Sequence, residues 1–147
     1  MSEGPELKAF ALLAELSEDE RELVTDLLER LDLDPGEQLF CEGQEADSLV
    51  LIESGTLDLT SARVGAVGQV AAGESLGALS LVSVGPREVT AVASEAARVW
   101  VLSRESFRRL CEDAPRAACR ILEAALADFA GAVRESLDRF SGAPSGA

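Results

Sequence analysis

Residues 73–90 read GESLGALSLVSVGPREVT, and their chemistry organises the rest of the chain. A glycine-rich turn, Gly73 to Gly77, leads into a short apolar segment, Ala78-Leu79-Ser80-Leu81-Val82. A tight turn at Gly85-Pro86 follows, and Arg87 heads a strand-like run. Glycine lets backbone approach a ligand closely. The first free N–H groups of a short helix face negative charge. A guanidinium beside them makes bidentate, charge-assisted bonds to phosphate or carboxylate. The arrangement suits a small anion.

Upstream, Leu7, Phe10 and Leu13 share one helical face. Ser17 and Glu20 read as a capping box, and the helix after it points Leu23, Val24, Leu27, Leu28 and Leu31 toward a core. Asp34-Pro35-Gly36 breaks the pattern. Short strands divided by Gly and Pro turns then run to about Leu102. Residues 49–52 form a continuous apolar run, as in a strand covered on both faces. Such a succession predicts a roll or barrel. Beyond it, Ser103 caps a short helix and Pro115 opens a longer one reaching Phe140.

These features together resemble the cyclic-nucleotide-binding domain family. Its phosphate-binding cassette is matched by Leu76-Gly77-Ala78-Leu79-Ser80-Leu81 and by Pro86-Arg87-Glu88-Val89-Thr90. Its upstream turns are matched in order by Phe10 through Ser17, Pro35-Gly36-Glu37, Glu42-Gly43 and Gly55. The resemblance covers residues 7 to about 130. It implies an α+β fold: an antiparallel β-roll, jelly-roll-like in the manner of a double-stranded β-helix, flanked by N-terminal helices and a long C-terminal helix. The expected layout is one domain over residues 1–140, with helices at 6–30, the roll at 31–102, helices at 103–140 and a flexible tail at 141–147. The resemblance also implies a candidate ligand site at Gly77, Ala78, Leu79, Ser80, Arg87, Glu88 and Val89. Arg87 would hold a cyclic phosphate, that of cyclic AMP or cyclic GMP.

Two positions depart from the family. Ala78 stands where a glutamate normally takes the ribose 2′-hydroxyl, and Glu88 stands where a small residue normally lies near the phosphate. A charge-assisted bond of that kind is worth about 1.5–3 kcal/mol. An inward Glu88 would repel a phosphate by about 4 kcal/mol at an effective dielectric near 20. An outward one would cost little. Arg87 thus has two readings, an anion ligand or an ion pair with Glu88 or another local carboxylate.

The long helix places Leu122, Leu126, Phe129, Val133, Leu137 and Phe140 at steps of three and four, close to a coiled-coil seam. The seam is expected to form a homodimer contact or to lid the ligand, as in the resembling family; in a monomer it would lie on the roll.

Of the 147 residues, 27 are Asp or Glu and 13 Lys or Arg, a net charge of −14. Residues 1–60 hold 17 acidic and 3 basic side chains, so all of the excess lies there. That surface is either simply solvated or a docking face for a basic partner. Direct nucleic-acid binding is not expected, nor is a helix-turn-helix module after the roll. No leader or membrane-spanning segment is visible, so a cytoplasmic protein is expected. Cys41, Cys111 and Cys119 show no metal spacing and read as reduced, mostly buried thiols. The chain has no histidine, the commonest general base and metal ligand. Ser75 and Ser80 have no base nearby, so neither catalytic residues nor metal sites are expected. The sequence reads as a non-enzymatic regulatory or signalling module with weak, altered or absent cyclic-nucleotide binding, acting through protein contacts. The alternative is a ligand-free scaffold that self-associates through its last helix.

Overall fold

A computed structural model describes residues 7–142. The chain begins with two 3-10 turns, Leu7–Ala9 and Ala11–Leu13, rather than the continuous helix that its spacing suggests. The apolar face is used all the same, since Leu7, Phe10 and Leu13 are buried. Helix α1 (Glu18–Leu27) starts at the capping box. Ser17 Oγ accepts from the Glu20 N–H at 3.2 Å, and the Ser17 N–H donates to Glu20 Oε1 at 2.8 Å. Glu18, Asp19 and Glu20 in the first turn complement the helix dipole.

The helix ends earlier than its periodicity suggests. Val24 is buried but Leu23 is 42% exposed, and Leu31 lies in strand β1 (Glu29–Leu33). The helical region therefore stops short of residue 30, and the roll begins at Glu29. The remaining strands are β2 (Gln38–Phe40), β3 (Glu45–Ala46), β4 (Ser48–Ser54), β5 (Thr56–Ser61), β6 (Gly65–Ala71), β7 (Ser75–Leu76), β8 (Gly85–Pro86), β9 (Thr90–Ala93) and β10 (Ala97–Ser103). All of β1 pairs with β10, from Glu29 opposite Val101 to Leu33 opposite Ala97. That long-range pairing overrides the helical spacing of Leu27, Leu28 and Leu31.

One sheet has the order β1-β10-β4-β7 and the other β2-β9-β5-β6, while β3 pairs with β8. Every pairing is antiparallel. With its flanking helices this is the expected α+β β-roll. The apolar run in β4 serves two cores. Val50 and Ile52 join Leu33, Leu57 and Val99 between the sheets. Leu49 and Leu51 join Trp100 and Leu102 beneath Phe10, Leu13, Phe107 and Ile121. Burying each such side chain contributes about 1.5–3 kcal/mol. Both faces of the strand are covered, which is why alternation is lost there. On the outer edge, Arg98 Nε lies 2.9 Å from Asp32 Oδ1, and that hydrogen bond, then the Arg98 and Arg30 charges, hold the Asp32 carboxyl below its ordinary value.

Helix α2 (Arg104–Asp113) is capped by Ser103, whose Oγ accepts from the Ser106 N–H at 3.0 Å. Helix α3 (Pro115–Gly142) runs two residues past Phe140, so residues 141 and 142, expected in the tail, are helical; residues 143–147 lie outside the described residues. α3 packs on α2 and on the second 3-10 turn. Its buried side is Ala117, Ala118, Ile121 and Ala125. The thiols are not mostly buried as expected: Cys41 is half-buried, and Cys111 and Cys119 are exposed. Leu110, Ala117 and Ala118 occupy the inward positions beside the latter two. Partial burial, then the neighbouring Cys119 and Glu112, push the Cys111 thiol up.

Gly55 makes the turn between β4 and β5 at φ +83°, and a Cβ there would lie on the Ala96 carbonyl oxygen and 2.7 Å from Ala97 Cα. Gly43 has a similar φ of +93° with no atom within 4 Å of its missing Cβ. Gly43→Ala should cost only the left-handed penalty of about 1–2 kcal/mol. Gly55→Ala should cost clearly more, read from urea unfolding midpoints at constant slope. Equal losses for the two would refute the close packing of this turn on β10.

Candidate functional site

The cassette is built onto β4. β7 pairs with it, Leu76 opposite Val50 and Ser75 opposite Leu51. Gly73 N–H donates to the Ile52 carbonyl at 2.9 Å, and Ile52 N–H to the Glu74 carbonyl at 2.9 Å. Gly77 then turns the chain at φ +76° into a 3-10 turn, Ala78–Leu81. After β8 pairs with β3, the backbone of Arg87 is fixed to the Gly43-Gln44 turn. Arg87 N–H donates to the Gln44 carbonyl at 2.7 Å, and Gly43 N–H donates to the Arg87 carbonyl at 2.9 Å.

The Arg87 side chain is therefore directed inward, and only 8% of the residue is exposed. Its Nη2 donates to Ser48 Oγ at 3.0 Å and to the Ser48 carbonyl at 3.2 Å. Its Cζ lies 4.2 Å from the centroid of the Phe40 ring, which faces the cation. Nη1 sits against Gly77: a Cβ there would be 2.5 Å from Nη1 and 2.9 Å from the Ser48 carbonyl oxygen. Gly77 is thus demanded twice, by its φ and by the guanidinium beside it. Burial lowers the Arg87 pKa and the charge of Asp47 opposes that shift, but a guanidinium stays protonated in proteins. Among the described residues no carboxylate lies within ion-pair distance of it.

The other candidate residues are placed unequally. Ser80 is buried, and its N–H donates to the Gly77 carbonyl at 2.9 Å. Ala78 is half-buried against the helix-side core, and Val89 is half-buried. Leu79 is 41% exposed. Glu88 is exposed and makes no ion pair with Arg87 among the described residues, so the outward direction holds and the large repulsion does not arise. The structure brings Gly77, Ser80 and Arg87 together and leaves Leu79 and Glu88 toward solvent.

Sequence reading missed the partners of Arg87. Ser48 and Phe40 lie on strands 39 and 47 positions away, outside any sequence window around Arg87. It also missed Arg104. Arg104 Nε donates to the Ser80 carbonyl at 2.8 Å, and Nη2 donates to the Ala46 carbonyl at 2.5 Å and the Ser83 carbonyl at 3.3 Å. It pins the start of α2 to the cassette. A cleft of about 520 Å³ reaches Arg87 from the Phe40 side, floored by Leu31, Leu39, Val50 and Val101.

The α3 seam does not cover this cleft, which no α3 residue lines among the described residues. Leu122 is half-buried against the core, while Leu126, Phe129, Val133 and Leu137 are 59%, 51%, 40% and 59% exposed. The Phe140 side chain lies outside the described residues.

Fold and site together define a β-roll module with a buried cationic centre. The model of the cyclic nucleotide-binding domain family matches residues 30–114, and the chain belongs to that family. It is 33% identical over 104 residues to a cAMP-dependent protein kinase regulatory subunit of Eremothecium gossypii, covering 71% of this chain and 23% of that one. The chain thus spans about a quarter of that curated relative. The catabolite activator protein of Thermus thermophilus superposes with a TM-score of 0.77 at 27% identity, over 89% of this chain and 63% of that one. The regulatory domain of a Toxoplasma gondii protein kinase A, crystallised with cAMP, superposes with a TM-score of 0.64 at 26% identity, over 74% and 42%. Family members of this kind are regulatory domains, not enzymes.

Proposed function

We propose that this chain is a regulatory module that keeps the family's anion centre but holds cyclic nucleotides weakly, and that it signals through protein contacts. The carrying observation is Arg87: a guanidinium 8% exposed, given a hydroxyl, a carbonyl and an aromatic face, yet no carboxylate within ion-pair distance among the described residues. A buried cation with no carboxylate at ion-pair distance is costly, and an incoming phosphate would supply a direct partner. Gly77 keeps open the approach to its Nη1. Against that, Ala78 offers no acceptor to a ribose hydroxyl, and losing that bond weakens binding by about one to two decades. Cyclic AMP or cyclic GMP would then bind through phosphate and base alone, above the micromolar range.

Calorimetry with both cyclic nucleotides tests this. The wild type should bind weakly, and Ala78→Glu should tighten binding by about 10- to 100-fold. Sub-micromolar binding by the wild type would overturn the altered pocket. No binding by either protein would overturn the anion centre.

The exposure of Leu126, Phe129 and Val133 favours a second reading, self-association through α3. Three large apolar side chains at seam spacing, uncovered by the chain's own roll, are what a helix pair would bury. Sedimentation of the ligand-free protein should show a dimer that Leu126→Asp with Phe129→Asp turns into a folded monomer. A wild type that is monomeric at all concentrations would remove this reading.

A further inference from the structure

The roll has an open side. β1 is the edge of one four-stranded sheet and β2 the edge of the other. The cleft of about 520 Å³ beside Phe40 has a floor of Leu31, Leu39, Val50 and Val101, all carried on strands β1, β2, β4 and β10. Leu31 is 43% exposed, in a sheet whose neighbouring inward residues Leu33 and Val99 are buried. A second cleft of about 520 Å³, bordered by Glu29, Arg104, Glu105 and Arg108, adjoins it, and Asp47 lines both. The two meet at Asp47 and form a groove bordered by β1, β10 and the start of α2.

The groove is set in acidic surroundings. Its lining carries four carboxylates, Glu29, Glu45, Asp47 and Glu105, against three guanidiniums, Arg87, Arg104 and Arg108. Glu29, Asp47 and Glu105 make no ion pair among the described residues. The local arginines are largely engaged. Arg87 donates to Ser48, and Arg104 donates to three backbone carbonyls and lies 4.0 Å from Glu45. Arg108 is the rim's other cation.

We propose that this groove docks an extended segment of a protein partner carrying a bulky apolar residue flanked by arginine or lysine. The apolar side chain fills the floor between Leu31 and Val101. The segment's backbone lies along a free strand edge, the mode in which sheet edges take peptides. Its basic side chains reach Glu29, Asp47 and Glu105, which sets the approach and the register. The proposal goes beyond the nucleotide reading; the cleft also reaches Arg87, but the contacts named are to Leu31, Val101 and the rim carboxylates, so peptide binding is read separately from nucleotide calorimetry.

The test is selection of a random dodecapeptide phage library on the full chain, followed by fluorescence anisotropy with the synthesised consensus peptide. Enriched peptides should pair a large apolar residue with flanking Arg or Lys. Leu31→Ser, and separately Asp47→Asn with Glu105→Gln, should each weaken the consensus peptide by about 10-fold, and added salt should weaken it further. Val101→Thr gives the same reading if Leu31→Ser lowers the melting temperature. No enrichment, a neutral or acidic consensus, or affinity unchanged by these substitutions would overturn the proposal. So would a peptide whose binding is lost only in Leu126→Asp, since its surface would then be α3.

Discussion

Arg87 Nη2 donates to both the hydroxyl and the carbonyl of Ser48, and its Nη1 fills the space where a side chain of Gly77 would be. The surroundings of the cassette are consistent with placing that guanidinium. The backbone of Arg87 is bonded on both sides to the Gly43-Gln44 turn, so its side chain can only enter the roll. Phe40 closes over it and Arg104 anchors the 3-10 turn beside it. A charge held this firmly without a paired carboxylate adds little to stability by itself. The roll's two cores, one between the sheets and one under the helices, supply the stability that lets the site persist.

The fold was legible because its turns are encoded by single residues. Gly36, Gly43, Gly55, Gly73 and Gly77 all adopt positive φ, a conformation that other residues reach only with strain, so their order marks the strand ends. The Ser17–Glu20 box is equally local, and it set the start of α1 correctly. What failed depended on distant pairing. Leu31 continues a helical period, but its place is fixed by Val99 opposite it in β10, and no window around Leu31 contains that fact. The tightness of residues 7–13 was likewise hidden. Ala11 N–H donates to the Gly73 carbonyl at 3.3 Å, a tie to the cassette that accompanies 3-10 turns rather than a helix.

The site was legible in its scaffold and not in its contacts. Gly77 and Arg87 stand out by residue type. Ser48 does not, because a serine ahead of an apolar run is ordinary, and its role comes only from lying under the guanidinium. The direction of Glu88 needed the β8–β9 backbone to be known. On α3 the large residues drew attention to the seam, whereas the helix docks through Ala117, Ala118, Ile121 and Ala125. Three of these four are alanines, which carry little periodic signal beside the large residues of the seam.

Whether the Arg87 guanidinium receives an anion can be watched directly by nitrogen-15 NMR of its side-chain signals during titration with cyclic AMP and, separately, inorganic phosphate. The account predicts that the Arg87 Nε and Nη signals and the Gly77 amide shift together and saturate with one binding constant for each anion. Signals of Arg87 that stay fixed while the nucleotide binds, or while no binding occurs at any concentration, would contradict it.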